Sequence, residues 1–319
     1  MPAVGAYSLL NKKENAHDDP IYCCAWANII TKQESHISSE NYIVTGGLDG
    51  LVKVWNVNNN KLELLHTLEG HHMAVVSIAV SLDGHILASA SLDSTLMIWE
   101  LPNGKKIKEI KTNATDAWQV SFSPDGTHVV SGSHTGKLLV YDILGNTVDI
   151  QLDSRGKFAL SVAWSGDGRR VACGSVDGTV YIFDVNQGKL SHTFNVHTEK
   201  VRSVNFSPDS KLLVSASNDG YVKILNIANE NTVSSLKLNT WAMSACFSPD
   251  GSRVAIATAD GSVTIALVKE LKVLKTFQEH TETVCDLKFN ASSNKLLSVS
   301  KDKSINIYEC PIPPKNDKK

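Results

Sequence analysis

Residues 204–220 read VNFSPDSKLLVSASNDG, and this stretch decides the fold because similar stretches recur along the chain at even spacing. VSFSPDGTHVVSGSHTG ends at Gly136, and VAWSGDGRRVACGSVDG ends at Gly178. Each copy holds two alternating apolar stretches, a Pro-Asp or Gly-Asp turn between them and a second turn at its end. Self-similarity at a fixed period indicates a chain assembled from one repeated supersecondary unit.

The repeat fills the whole chain with seven units. The second turn of each unit can be aligned, and the steps between the aligned positions are 44, 42, 42, 42, 41 and 42 residues. The aligned residues are Asp49, Asp93, Thr135, Asp177, Asp219, Asp260 and Asp302. Six residues after each of them comes an apolar position, occupied by Trp55, Trp99, Tyr141, Phe183, Leu225, Ala266 and Tyr308. No long helical period competes with these short strands, so the sequence predicts an all-β chain.

Composition and charge exclude several classes of function. Hydrophobic residues at 42% and charged residues at 20% are typical of a globular protein with a core. The net charge of −2 lacks the basic excess that binding to a phosphate backbone needs, so no direct nucleic-acid partner is expected. No apolar run approaches 18 residues, and no signal-peptide pattern is present at residues 1–10. We therefore expect a protein that neither spans a membrane nor is secreted. Six cysteines without a C-x-x-C pair indicate reduced thiols in an intracellular protein.

The Gly70-His71 pair, the turn at residues 91–93 (Ser-Leu-Asp) and the Trp99-Glu100 pair resemble the WD-repeat family. A unit of 41 to 44 residues is similar to one four-stranded blade of a propeller. The resemblance therefore implies a seven-bladed β-propeller over residues 1–310, followed by a short tail at residues 311–319.

Within this family, a buried polar tetrad is expected in each of the first two units. An imidazole, a strand hydroxyl, an indole N–H and a turn carboxylate can satisfy one another inside a blade. The members would be His17, Thr45, Asp49 and Trp55 in unit one, and His71, Ser89 or Ser91, Asp93 and Trp99 in unit two. Histidine also stands at the matching place in units five and seven, as His197 and His280, whereas units three, four and six have Asn113, Arg155 and Leu238. A His-Asp-Ser group would also suggest a hydrolytic triad. Because this group repeats along the chain, we interpret it as part of the structure of each blade. We therefore expect no catalytic residue, no metal and no cofactor.

Two departures from the repeat concern its ends and its loops. After Tyr308 the seventh unit has no fourth strand, so Tyr7 to Leu10 is predicted to pair there and to remove an exposed edge. Trp26 and Asp49 are 23 residues apart, against 13 for the equivalent pair of unit two, Val80 and Asp93. The residues concerned, 27–41, are expected to form a mobile loop on the face opposite the histidine turns.

Two tryptophans have no place in the repeated core. Trp118 lies four residues before the core aromatic of its first strand, where the other units have Tyr22, Val76, Leu160, Arg202, Met243 and Cys285. Two residues earlier come Pro20, Ala74, Asp116, Phe158, Lys200, Trp241 and Thr283. These two rings would surround the mouth of the central channel, where aromatic and arginine side chains are typical of a peptide-binding surface. The predicted partner-binding residues are Tyr22, Asp116, Trp118, Phe158, Arg202, Trp241 and Met243, with Asp116 paired to an arginine of the partner. Packing between blades is the alternative interpretation.

Several segments, spread over the chain, are similar to the WD-repeat subunits of animal superkiller complexes, namely AHDDPIYCCAW, LDGLVKVW, DAWQVSFSPD, RGKFALSVAW, SPDSKLLVSASNDGYVKI and IYECPI. The resemblance implies a non-catalytic scaffold that holds a tetratricopeptide subunit and a helicase together for exosome-mediated 3′-to-5′ mRNA decay. It also implies membership of the polymerase-associated factor complex, which acts in transcription elongation and histone modification. Recognition in this family uses short Gln-Arg-containing segments with a hydrophobic anchor, and the expected locations are cytoplasm and nucleus. The chain is expected to be a monomer by itself.

Two other classes of function are alternatives to the scaffold. An enzyme built on a propeller would need convergent carboxylates or histidines outside the repeat pattern, and the sequence shows none. A substrate-recruiting adaptor of a ubiquitin ligase is harder to separate, because scaffold and adaptor are both peptide-binding propellers.

Overall fold

Seven small sheets make up the molecule. The computed structural model describes residues 6–33, 36–112, 118–145 and 148–313, with the backbone alone at residues 30–33 and 36–38. Within these ranges the strands form seven four-stranded antiparallel sheets, and the first strand of each packs beside the first strands of its two neighbours. This closed ring is a seven-bladed β-propeller, so the predicted fold class is confirmed. No helix in the described ranges is long and apolar enough to span a membrane.

The strands run in chain order through the blades. Blade one contains β2 (Ile21–Gln33), β3 (His36–Gly47), β4 (Val52–Asn58) and β5 (Lys61–Leu68); blade two contains β6 (Val75–Val80), β7 (Ile86–Ser91), β8 (Thr95–Glu100) and β9 (Lys105–Lys111). Blade three contains β10 (Val120–Phe122), β11 (His128–Gly132), β12 (Lys137–Asp142) and β13 (Val148–Asp153); blade four contains β14 (Ala159–Trp164), β15 (Arg170–Ser175), β16 (Thr179–Asp184) and β17 (Lys189–Asn195). Blade five contains β18 (Val201–Phe206), β19 (Leu212–Ser217), β20 (Tyr221–Asn226) and β21 (Asn231–Lys237). Blade six contains β22 (Ala242–Phe247), β23 (Arg253–Thr258), β24 (Val263–Leu267), a short 3-10 turn (Lys269–Leu271) and β25 (Val273–Phe277). Blade seven contains β26 (Val284–Phe289), β27 (Lys295–Ser300), β28 (Ile305–Glu309) and, from the other end of the chain, β1 (Ser8–Lys13).

The turn between the first and second strands explains the Ser-x-Asp signal of the repeat. In blade two the Ser81 hydroxyl donates to Asp83 at 2.5 Å, and the same carboxylate accepts the backbone N–H of His85. Gly84 completes the turn with a φ of 79°, which an L side chain rarely adopts. Equivalent Ser-to-Asp hydrogen bonds recur in blades three to six, at Ser123, Ser165, Ser207 and Ser248. The sequence thus fixes this hairpin locally in five blades.

The hydrophobic core lies between adjacent blades. One cluster joins Ile43 and Trp55 of blade one to Leu297 and Ile305 of blade seven, and all four side chains are buried. Burial of each such side chain contributes about 1.5–3 kcal/mol, so every blade depends on both of its neighbours for its stability.

A belt of side chains on the first strands also joins the blades by hydrogen bonds. The backbone N–H of Val120 donates to the Ser77 hydroxyl at 3.1 Å, and that of Val162 donates to the Gln119 side chain at 2.6 Å. The Ser244 hydroxyl donates to one carboxylate oxygen of Asp286, and the other oxygen of Asp286 accepts the backbone N–H of Cys24. Equivalent bonds at Cys23, Ser161 and Ser203 fill the remaining steps. The belt therefore runs through all seven blades.

Blade seven is completed from both ends of the chain, as the sequence predicted. Strand β1 pairs antiparallel with β28, from Ser8 opposite Glu309 to Lys13 opposite Ile305. The Tyr7 hydroxyl, just before the strand, donates to the backbone carbonyl of Pro311 at 3.3 Å. This pairing covers the edge of β28 and closes the ring.

Arg253 of blade six binds the residues that follow β28. Its side chain is 0% exposed, and it donates to the backbone carbonyls of Cys310 at 2.8 Å and Ser293 at 2.6 Å. Asp250 lies 3.5 Å from the guanidinium, which partly balances the buried charge. The residues after β28 are thereby held against blade six.

The expectation for residues 27–41 is wrong. In place of a loop, β2 and β3 continue as a paired hairpin, with Ile29 opposite Glu40 and Gln33 opposite His36. Because Ile29, Ile30, Thr31 and Ile37 are β-branched, they favour extended strands over a loop.

Removal of residues 1–13 should open blade seven. Loss of the β1 ladder and of the packing of Leu9 and Leu10 would cost about 4 kcal/mol and lower the melting temperature by roughly 10 °C. Thermal unfolding followed by circular dichroism checks this, with deletion of residues 1–5 as the control that keeps β1. Equal melting temperatures for the two truncations would contradict the closure.

Candidate functional site

The first strands surround a central cavity of about 820 Å³. In six of the seven blades the first strand skips one residue in its pairing with the second strand, which marks a β-bulge. A bulge changes the direction in which a side chain points. The bulged residues are Tyr22, Val76, Leu160, Arg202, Met243 and Cys285, and all six line the cavity together with Trp118 of the remaining blade. The bulged position of the repeat therefore places a side chain at the channel mouth.

Trp118 is supported from the side by Phe158. The two rings meet edge to face, with centroids 5.4 Å apart, and His134 approaches Phe158 in a similar geometry at 6.1 Å. Trp118 lines the cavity and is partly exposed, whereas Phe158 is partly exposed but does not line the cavity. Phe158 thus orients Trp118, which is a different role from the direct contact that the sequence suggested.

Trp241 is the most exposed aromatic residue of the predicted surface. It lines the cavity mouth as a residue that is 52% exposed, while its backbone carbonyl accepts a hydrogen bond from the N–H of Ala259. Its backbone is therefore fixed and its indole is free to be covered by a ligand. Exposure of so large an apolar group is typical of an interaction site.

Leu48 and Leu92 extend the apolar surface, and sequence reasoning missed them. They are 43% and 41% exposed and line the same cavity. Each directly precedes the aligned aspartate of its turn, so the turn that supplies the tetrad carboxylate also presents a leucine to the mouth. An apolar residue at that exposed turn position was the signal that could have identified them.

Arg202 is the cation of the bulged ring. Its Nε donates to the Asn218 side-chain oxygen at 2.9 Å, and burial lowers the pKa of the guanidinium from its ordinary value. Tyr22, across the ring, has a pKa raised mainly by burial. Asp116, the residue expected to pair with a partner arginine, lies outside the described residues.

Deeper in the channel the ionisable groups are already engaged. Lys288 lies 3.0 Å from Asp286, and although burial works against its charge, Asp286 outweighs burial and raises the pKa of Lys288. Burial raises the pKa of the Cys246 thiol, and of the Cys285 thiol on the bulged ring, to about 12, so both are protonated at neutral pH. A thiol in that state is a poor nucleophile and a poor metal ligand. Across the described residues no cluster of three His, Cys, Asp or Glu is arranged to hold a metal ion.

The tetrad of unit one assembles from the four residues the sequence selected. His17 contacts Asp49 through Nδ1 at 2.9 Å and Thr45 through Nε2 at 2.8 Å. The Trp55 indole N–H donates to the same Thr45 hydroxyl at 3.0 Å.

In unit two, the structure selects Ser89 over Ser91. His71 Nε2 lies 2.7 Å from the Ser89 hydroxyl, which also accepts the Trp99 indole N–H at 2.9 Å. His71 Nδ1 lies 3.3 Å from Asp93, whereas Ser91 donates to a backbone carbonyl instead. Because Ser89 is fully buried and engaged on both sides, it cannot attack a substrate.

Two further blades hold the same His-Asp-Ser arrangement. His197 contacts Asp219 at 2.9 Å and Ser215 at 2.8 Å, and His280 contacts Asp302 at 2.9 Å and Ser298 at 2.7 Å. Blade five lacks an indole, since Leu225 occupies that place, and in blade seven the Tyr308 hydroxyl lies 3.4 Å from Ser298. The group of His, Asp and a hydroxyl recurs in four blades and lies away from the channel. This recurrence is typical of an element that stabilises the fold.

Two family models match this chain. The one described as the IFT122 first beta-propeller matches residues 116–312, and the WD domain, G-beta repeat model matches residues 10–56 and 62–100. The chain is 34% identical over 118 residues to WD repeat-containing protein SL1-17 of Schistosoma mansoni, covering 37% of each chain. It is 32% identical over 115 residues to WD repeat-containing protein VIP3 of Arabidopsis thaliana, covering 36% of this chain and 33% of the relative. With small ribosomal subunit protein RACK1y of Oryza sativa subsp. japonica it shares 42% identity over 82 residues, or 26% of this chain and 24% of the relative. Each alignment spans less than half of the relative.

Replacement of Asp93 by alanine should destabilise the protein without altering the channel mouth. The carboxylate accepts hydrogen bonds from the Thr95 hydroxyl and the His72 backbone N–H, and their loss with that of the His71 contact should cost about 1–3 kcal/mol. Urea unfolding of Asp93→Ala measures this cost. Asp177→Ala is the matched control, because Asp177 holds the same turn position in a blade with Arg155 in place of the histidine. A cost no larger than that of the control would contradict the tetrad.

Acid should lower the stability of the protein over two separate pH ranges. Burial lowers the pKa of His71 and His197 below the ordinary 6.5, so below pH 6.5 the unfolded chain gains protons that the folded chain does not, and stability falls. Burial opposes the charge on Asp93 and Asp219, but hydrogen bonds and the paired histidines outweigh it and lower both pKa values. Stability should therefore fall again below pH 3.8, where the unfolded aspartates become protonated. Urea midpoints measured from pH 8 to pH 3 test this, and a stability that rises on acidification below pH 6.5 would be inconsistent with neutral buried histidines.

Proposed function

The chain belongs to the WD-repeat β-propeller family, and from that premise we propose that it is a non-catalytic scaffold whose channel mouth binds a segment of a partner protein. The observation that carries this proposal is a ring of exposed or half-buried apolar side chains on a rigid closed framework, with the ionisable groups beneath it engaged in internal contacts. Such a surface can bind but offers no activated nucleophile or base.

A peptide segment fits this mouth better than a flat protein surface does. The cavity of about 820 Å³ is concave and has room for a few side chains. Trp118 and Trp241 are large anchors of low conformational entropy, and Arg202 adds a directional polar group. Tryptophan, tyrosine and arginine are the residues that supply most of the binding energy at protein interfaces.

The partner we propose is the tetratricopeptide subunit of a superkiller complex, with a helicase as the third component. Three of the segments that resemble superkiller subunits are AHDDPIYCCAW, DAWQVSFSPD and RGKFALSVAW. They contain Tyr22, Trp118 and Phe158, which the structure brings to the mouth or directly beside it. These three segments therefore contribute residues to the surface that would bind, and the other similar segments lie elsewhere in the ring. In this role the chain supports exosome-mediated mRNA decay in the cytoplasm, and in a polymerase-associated factor complex it acts in the nucleus.

Affinity purification from cell extract tests this assignment. Recovery of the tetratricopeptide subunit and the helicase in amounts near those of the chain supports the proposal. Recovery of cullin-ligase components in their place would assign the chain to the ubiquitin-ligase adaptors.

The double variant Trp118→Ala, Trp241→Ala should lose the partner and keep the fold. Loss of central aromatic anchors typically costs about 2–4 kcal/mol, which weakens affinity roughly 30- to 1000-fold. Calorimetry with the purified tetratricopeptide subunit measures the affinity, and a melting curve measures the stability. Leu144→Ala is the control, since Leu144 is 91% exposed and lies outside the cavity. A stable double variant with full affinity would show that the binding face lies elsewhere.

A further inference from the structure

The described wall of the channel carries an excess of positive charge. Its charged residues are Arg202, Lys288, Lys301 and Asp286, which is three cations and one anion, in a chain whose net charge is −2. The cavity is therefore electropositive relative to the protein around it. Clefts of one sign concentrate ligands of the opposite sign.

The one acidic group on this wall is not available to a ligand. Asp286 contacts Lys288 at 3.0 Å, and it also accepts the Ser244 hydroxyl, the Cys24 N–H and the Leu287 N–H. Both of its oxygens are used, and Lys288 is neutralised by the same contact. The uncompensated charge of the described wall thus lies higher, at Arg202 and Lys301.

Arg202 differs from the other cations in its partners. Its Nε is bound by the neutral oxygen of Asn218, and among the described carboxylates none lies within ion-pair distance of the guanidinium. Its side chain is half-buried on the bulged ring beside Met243 and Leu160. Partial burial of a guanidinium without a counter-ion costs free energy, and its two terminal nitrogens form a planar fork that matches a carboxylate.

We propose that the segment entering the mouth places a carboxylate on Arg202 while an apolar side chain next to it packs against Trp118 and Trp241. This inference rests on the proposed function, since it describes the chemistry of the partner at the same surface. The ligand is an acidic-apolar peptide, and the charge pair is separate from the arginine expected for Asp116. Charge-assisted, two-pronged bonds of this kind are short and directional, so they fix the register of the peptide as well as adding affinity.

A random peptide library tests the proposal without knowledge of the partner. The library is displayed on phage, selected on the wild-type protein and depleted on the Trp118→Ala, Trp241→Ala variant, so that only peptides bound at the mouth remain. We expect an Asp or Glu at fixed spacing from a large apolar residue. A consensus without an Asp or Glu at that spacing would overturn the proposal, and an absence of tryptophan-dependent peptides would overturn both it and binding at the mouth.

Synthetic peptides from that consensus give the quantitative test. Exchange of the acidic residue for its amide should weaken binding about tenfold or more to the wild type and have little effect on Arg202→Gln. Arg202→Lys should recover part of the affinity, because it keeps the charge and loses the fork. Arg169→Gln, at an exposed arginine outside the cavity, is the control.

Peptides with an amidated and with a free C-terminus distinguish a side-chain carboxylate from a terminal one. The acid-to-amide exchange needs only wild-type protein, so the test holds even where Arg202→Gln is unstable; equal affinities for the two peptides would contradict the carboxylate pair.

Competition separates this inference from the assignment of the partner. Displacement of the acidic-apolar peptide by the tetratricopeptide subunit supports both. A peptide that binds through Arg202 and is not displaced leaves the carboxylate site intact and removes the superkiller assignment.

Discussion

Closure of the ring is the constraint on which the other features depend. The core lies between blades, so no blade is complete without two neighbours, and blade seven exists only when β1 pairs with β28. The hydrogen bonds from Val120 to Ser77 and from Cys24 to Asp286 join neighbouring blades along the channel, and the buried guanidinium of Arg253 holds the residues after β28 against blade six. An open ring would leave a strand edge, an apolar face and several polar groups unsatisfied together.

The closed ring separates the residues that hold the fold from those that can bind. The tetrads are buried within blades, where each polar atom of His17 and Thr45 has a partner. In six of the seven blades the bulged position on the first strand lines the channel, where the side chain affects the mouth and contributes little to the ladder. One repeat can therefore vary its surface from blade to blade, from Val76 to Arg202, while the same framework is kept.

How much the sequence could predict depended on how local each signal was. The seven-fold period, the tetrad members and the N-terminal strand follow from spacing and were predicted correctly in kind. The hairpin at residues 27–41 was misjudged because its extra length was given more weight than its β-branched residues. Leu48 and Leu92 were missed because the turn was analysed for its aspartate alone. The support of Trp118 by Phe158 depends on a contact between neighbouring blades, which no spacing along one chain shows. The separation of Arg202 from the described carboxylates, and its bond to Asn218, likewise depend on the folded arrangement.

The central claim is that partners bind at the channel mouth of a ring that stays rigid. Hydrogen–deuterium exchange of the chain alone and with the tetratricopeptide subunit tests it most directly, because exchange reports each segment separately. The account predicts slower exchange around Tyr22, Arg202 and Met243 on binding, and no change in the outer strand Lys105–Lys111. Protection of that outer strand with an unchanged mouth would contradict the account.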